Sequence, residues 1–233
     1  MRTVTKLALS VVAVAALLSG CKPSTTPASA PVNPGAGQPG PNLPAPMSAA
    51  DARNMLATLQ IKAAASKAGY DREKFGQAWT DDNDAPGGHN KCDTRDDILR
   101  RDMVDIQPVT GCQIQSGTLH DVYTGKTIAF ARGPKSSAVQ IDHMVPLGDA
   151  WETGAQQLSP EKRRDLANDP RNLQAVDGPT NEGKGDDDAA EWLPPQAGYR
   201  CIYVERQIQV KSIYGLWVTP AEHDAMAGVL QGC

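Results

Sequence analysis

A chain of 233 residues with 40% hydrophobic content has material for one ordinary domain core, although only 5% of it is aromatic. Its 23 Lys and Arg stand against 27 Asp and Glu, a formal net charge of −4. That balance excludes a protein that grips nucleic acid by bulk charge alone, because such proteins are strongly basic. It leaves room for an enzyme that meets a phosphate through a bound cation.

Arg2 and Lys6 form a basic head, followed by an apolar run from Leu7 to Leu18. The run is too short to span a bilayer as a helix and fits an export signal over residues 1–20. It ends in Leu18-Ser19-Gly20-Cys21, which resembles the bacterial lipobox. The resemblance implies cleavage before Cys21, lipidation of its sulfur, and anchoring in a bacterial envelope at the outer membrane or cell surface. The alternative is an ordinary cleaved signal that ends near a cysteine. Cleavage there would leave 21 Lys and Arg against 27 Asp and Glu, a net of −6. Residues 21–50 then read as a tether. Of the 27 residues at 22–48, 11 are Pro or Gly and Lys22 is the only charge, a composition that cannot bury enough apolar surface to fold.

Residues 51–233 form the expected folded domain. Ser48 can cap a helix over 49–68, where Met55, Leu56, Leu59 and Ala63 recur at helical spacing and Gly69 stops it. Polar, Asp- and Gly-rich residues 80–91 read as a loop, and 96–103 as a short helix. Leu119, Val122 and Tyr123, the Thr124-Gly125 turn and residues 127–130 read as a hairpin. A short strand follows at 138–141, then helical pieces at 147–157 and 160–168, the second opened by Ser159-Pro160-Glu161. Residues 172–176 alternate like a strand, Asp177-Gly178-Pro179 turns, and a helix follows. Two more helices fit 199–214 and 220–230. Cys92, Cys112, Cys201 and Cys233 are an even set in an exported chain, so two disulfides are expected. Three pairings are possible, and proximity favours Cys92–Cys112 and Cys201–Cys233. The absence of a Cys-x-x-Cys pair speaks against zinc.

Chemistry concentrates at about 137–195. Asp142-His143 ends one strand, Asn172 opens the next, and Asn181-Glu182-Gly183-Lys184-Gly185-Asp186 follows. Histidine titrates near working pH, which suits it to deprotonate water. An Asp and an Asn carbonyl offer the oxygen ligands that a hard cation prefers, and that cation can absorb charge on a departing oxygen. Neighbours on a regular strand face opposite ways, so Asp142 and His143 require the strand to end or twist there. Gly183 and Gly185 beside Lys184 suggest close backbone approach.

This order of residues resembles the HNH nuclease superfamily with its ββα-metal motif, and more closely exported HNH proteins related to the C-terminal domain of GmrSD restriction enzymes. The Asn-x-Gly-Lys-x-Asp run also resembles HNH domains of CRISPR effectors. Tyr70-Asp71-Arg72, Cys92-Asp93-Thr94-Arg95 and Trp192-Leu193-Pro194-Pro195 extend the likeness over most of residues 70–220. Asn181 stands where many members have a second histidine. The resemblance implies an α+β domain with a ββα-metal core embedded in helices. It implies metal-dependent endonuclease cleavage of DNA, with RNA as a further substrate, leaving a 5′-phosphate. His143 would be the general base, Asp142 and Asn181 the ligands of one Mg²⁺ (or Mn²⁺), Asn172 the residue that orients His143, and Lys184 a phosphate contact.

Blander readings are assigned to the other candidates. His89, His120 and His223 read as surface or turn residues, and Asp186, Asp187 and Asp188 as a solvated helix start. Trp151, Trp192 and Trp217 read as packing residues. Lys162, Arg163 and Arg164 form either a phosphate-facing patch or an exposed helix face. A non-catalytic surface lipoprotein that captures DNA or a protein is the rival function, and no obligate protein partner is evident.

Overall fold

The structure is a computed structural model that describes residues 47–108 and 111–233. The signal segment, Cys21 and nearly all of the tether lie outside the described residues. The described body is α+β, with seven α-helices and two small antiparallel sheets among the described residues. No described helix is long and apolar enough to cross a membrane.

Helix α1 (Ala49–Leu56) is capped by Ser48, whose side chain accepts from the Asp51 amide. It ends well short of the expected Gly69. Residues 57–69 instead form a non-helical strap with a turn at each end, because they meet partners that a helix could not reach. Lys62 N–H donates to the Val218 carbonyl, the Trp217 indole donates to Ala63, and Ala65 N–H donates to Glu152. Here tertiary contacts override a respectable helical propensity.

Helix α2 (Thr94–Asp102) starts at the Asp93 cap and leads into β1 (Met103–Pro108). Strands β1, β2 (Ile114–His120) and β3 (Thr127–Ala131) make a three-stranded meander. The hairpin β2–β3 follows the sequence expectation, whereas β1 was not expected. Its register with β2 slips between Val104 and Gln107, where Asp105 has a φ of 51°, so no clean alternation marks it.

Strands β4 (Val139–His143) and β5 (Leu173–Asp177) pair antiparallel, with Asp142 opposite Gln174 and His143 opposite Leu173. Between them lie α3 (Leu147–Glu152) and α4 (Pro160–Asn168), the latter capped by Ser159. Asp177 then caps α5 (Gly178–Lys184), accepting from the Thr180 amide, and Pro179 fits its first turn. β4, β5 and α5 thus form the ββα unit. Gly178 is required there, since a Cβ would stand 2.0 Å from the Ser137 carbonyl oxygen. Gly183 and Gly185, by contrast, approach nothing within 4 Å. Gly185 ends the helix through its φ of 58°, so the expected close approach at these two glycines is not found.

Helix α6 (Arg200–Tyr214) runs through the centre of the body and buries Tyr203, Val204, Ile208 and Val210. Helix α7 (Pro220–Gln231) opens with a full capping box of Thr219 and Glu222. Disulfides join Cys92 to Cys112 and Cys201 to Cys233.

Candidate active site

Both Asp142 and His143 lie in β4, yet their side chains meet different neighbours, as the alternation of a strand requires. The His143 imidazole places Nε2 2.9 Å from the Ala167 carbonyl oxygen. A carbonyl only accepts, so Nε2 carries the proton and Nδ1 holds the basic lone pair. Burial, helped by the Arg72 and Lys184 charges, pulls the pKa of His143 down from 6.5 to about 3, against the opposing Ala167 carbonyl and Asp186 carboxylate. The ring is therefore neutral at physiological pH. Trp79 lies nearly parallel to it, with ring centroids 5.7 Å apart and 12° between planes.

Asn172, fully buried, holds this arrangement from behind. Its Oδ1 accepts from Val145 N–H at 2.8 Å, and its Nδ2 donates to the Val145 and Leu166 carbonyls. Its own carbonyl accepts from Met144 N–H at 2.7 Å. These bonds clamp the chain after His143 to the segment that carries Ala167, so Asn172 sits where an orienting residue would.

Asp142 is buried, and its Oδ2 accepts from the Tyr123 hydroxyl and from Lys184 Nζ, the latter at 2.6 Å. Burial and the nearby Asp142 carboxylate push the Tyr123 pKa well above its ordinary range. The placement of Lys184 corrects the sequence expectation. Its side chain is fully buried and also donates to the His143 carbonyl at 2.7 Å, so it cannot serve as a surface phosphate contact. Burial draws its pKa down, with Asp142 opposing. Lys184 is an internal cation that braces Asp142 and the end of β4.

Asn181 stands on α5 and donates from Nδ2 to Gln140 Oε1 at 2.8 Å. Gln140 in turn donates to Glu182 at 2.7 Å. Asp142 Oδ1 and Asn181 Oδ1 take no hydrogen bond among the described residues. Asp142, His143 and Asn181 line one polar cleft of about 420 Å³, together with Arg72, Arg95, Glu182 and Asp186. The structure thus brings three of the expected residues to one cleft, with Asn172 behind it and Lys184 beneath it.

Arg72, Arg95, Trp79 and Asp186 were not read as site residues. The two arginines stand in the Tyr70-Asp71-Arg72 and Cys92-Asp93-Thr94-Arg95 runs, and that was the available signal. The three aspartates do not start a helix, since α5 has already ended. Asp186 accepts from Lys67 Nζ at 2.9 Å and from Gly148 N–H at the start of α3. Asp188 joins Asp149 and Glu222, the one described His/Cys/Asp/Glu trio compact enough to surround a metal. Lys211 Nζ already lies 3.0 Å from Asp149 and 2.7 Å from Glu222.

The remaining candidates meet local partners. His120 faces Thr127 on the hairpin, and His89 and His223 contact neighbouring aspartates. Lys162 and Arg164 pair with Asp165 and Asp82, while Arg163 donates to the Leu158 carbonyl. Trp151 packs with Tyr70 and Phe75, and Trp192 with Tyr123.

The sequence profile of the family described as GmrSD restriction endonucleases, C-terminal domain, matches residues 93–229. A protein of Arthroderma benhamiae named "Uncharacterized secreted protein" is 36% identical over 220 residues, which cover 94% of this chain and 97% of that protein. No solved structure matches the chain.

Proposed function

For a chain that belongs to the GmrSD restriction endonuclease C-terminal domain family, we propose metal-dependent hydrolysis of phosphodiester bonds at the His143 cleft. The substrate is DNA, with RNA as a second substrate of the same chemistry, cut with little sequence preference. The observation that carries this reading is the His143 tautomer. A neutral imidazole with Nε2 committed to Ala167 presents Nδ1 as the base for a water molecule, at the edge of an oxygen-lined cleft. Asn172 keeps that ring in place through the backbone on both sides of it.

Asp142 Oδ1 and Asn181 Oδ1 fit a hard cation, because both are oxygen donors without another partner among the described residues. Mg²⁺ or Mn²⁺ suits such a sparse set, since Mg²⁺ keeps most of its waters on one or two protein ligands. Bound there, the ion would stabilise charge on the leaving oxygen. Arg72 and Arg95 would hold the phosphate in place of the buried Lys184. Export is supported by the secreted relative, and the lipid anchor on Cys21 is part of the same proposal.

The test is nicking of supercoiled plasmid in Mg²⁺, in EDTA, and by His143→Ala. Losing a positioned general base costs roughly 100-fold or more, so His143→Ala and EDTA should each abolish nicking while circular dichroism stays unchanged. Full activity in His143→Ala would sink the assignment. Binding without cleavage in Mg²⁺ would favour a non-catalytic nucleic-acid capture protein.

A further inference from the structure

A second, apolar cleft of about 480 Å³ adjoins the polar one, and the two share Arg72, Trp79, His143 and Leu147. Phe75 and Ala167 add to its lining. An oxygen-lined cavity and an apolar one therefore meet at the imidazole. Arg72 is exposed at that junction, and its guanidinium makes no hydrogen bond or ion pair among the described residues.

Trp79 is held there at a conformational cost. Its φ of 58° lies in the left-handed region, which bulky side chains rarely adopt. Such residues persist only where their surroundings hold them, and they cluster at binding and catalytic sites. The surroundings here are explicit. The Trp79 carbonyl accepts from Thr94 N–H at 3.1 Å, and the Thr80 carbonyl accepts from Thr94 Oγ1 and from Asn83 Nδ2. The loop is thereby fastened to the start of α2. Its product is a half-buried indole set parallel to the imidazole.

We propose that the apolar cleft is a subsite for an unpaired nucleobase next to the scissile phosphate, which makes single-stranded nucleic acid the preferred substrate. This deepens the nuclease reading and rests on it. A base joined through its sugar to a phosphate held by Arg72 can enter the apolar side while that phosphate stays on the polar side. Every base offers a π-face to an aromatic wall, so the subsite is tolerant of sequence. A base stacked inside a duplex must first leave its partner, at a cost that single strands avoid.

The test uses one labelled deoxyoligonucleotide in three forms: single-stranded, annealed to its complement, and single-stranded with a central run of abasic residues. Binding is read in EDTA by fluorescence anisotropy, and cleavage is read separately in Mg²⁺, for the wild type, Trp79→Ala and Trp79→Phe. Base stacking on an aromatic side chain is worth on the order of tenfold in affinity. The wild type should therefore bind the base-bearing single strand about tenfold more tightly than the abasic one, and more tightly than the duplex. Trp79→Ala should bring base-bearing and abasic strands level, and Trp79→Phe should restore the difference. Equal affinity of the wild type for the base-bearing and abasic strands overturns the subsite. So does a Trp79→Ala variant that weakens both equally, as a merely structural tryptophan would. Base-selective binding with no cleavage by the wild type in Mg²⁺ leaves the subsite standing and removes the nuclease reading.

Discussion

Lys184 and Asp142 form an ion pair with side chains 0% and 5% exposed. Removing one member of such a pair leaves an uncompensated charge in the interior, which typically costs about 3–5 kcal/mol. Lys184→Met should lower stability on that scale in thermal or urea unfolding, and Asp142→Asn in the same chain should recover part of the loss. An unchanged midpoint in Lys184→Met would show that the pair does not brace β4. The residue types of the site were legible from sequence, because Asp142, His143, Asn172 and Asn181 occur within forty residues in a recognisable order. The environment of Lys184 was not. A lysine between two glycines reads as exposed, and only the packing of α5 against β4 turns it inward. Arg72, Trp79 and Arg95 were hidden for another reason: they reach the cleft from a different part of the chain, and no local pattern reports such a meeting.

At the scale of elements, the Cys201–Cys233 bridge joins the start of α6 to the second residue beyond α7 across a separation of 32. Closing a loop of that length restricts the unfolded chain by about 3–4 kcal/mol in the chain-entropy view. Replacing both cysteines with serine should lower the melting temperature by roughly 10 °C, since 1 kcal/mol moves a domain of this size by a few degrees. Insensitivity of the melt to the double replacement would count against that role. Most helices were readable because their caps are local: Ser48, Asp93, Ser159, Asp177 and Thr219 each hold the first turn. The strap at 57–69 and the bulged strand β1 escaped because their backbone conformations depend on distant partners, Val218 and Glu152 for the strap and β2 for the strand.

For the whole molecule, two buried groups set opposite limits on stability as pH changes. His143 is neutral in the fold down to about 3, whereas in the unfolded chain it takes a proton near 6.5. Its contribution is complete above 6.5 and is lost as pH falls towards 3. Burial pushes Glu222 from 4.5 up to about 8, against the opposing pull of Lys211. Its contribution is complete below 4.5 and is lost as pH rises towards 8. In EDTA the melting temperature should therefore peak between about 4.5 and 6.5 and decline on both sides. Glu222→Gln should abolish the alkaline decline and leave a profile that rises up to about pH 6.5, where His143 alone sets the slope. A wild-type profile that keeps rising to pH 9 would contradict this account. The loop that fastens Trp79 to Thr94 carries a consequence for where the boundary of this domain falls. The family match opens at residue 93, yet Arg72 and Trp79 lie before it. A fragment cut at Asp93 would retain the ββα unit and forfeit one wall of the cleft. Recombination that transplants the whole cleft, in evolution or by design, has to carry the chain from Arg72 onward, so the module is longer than its family signature.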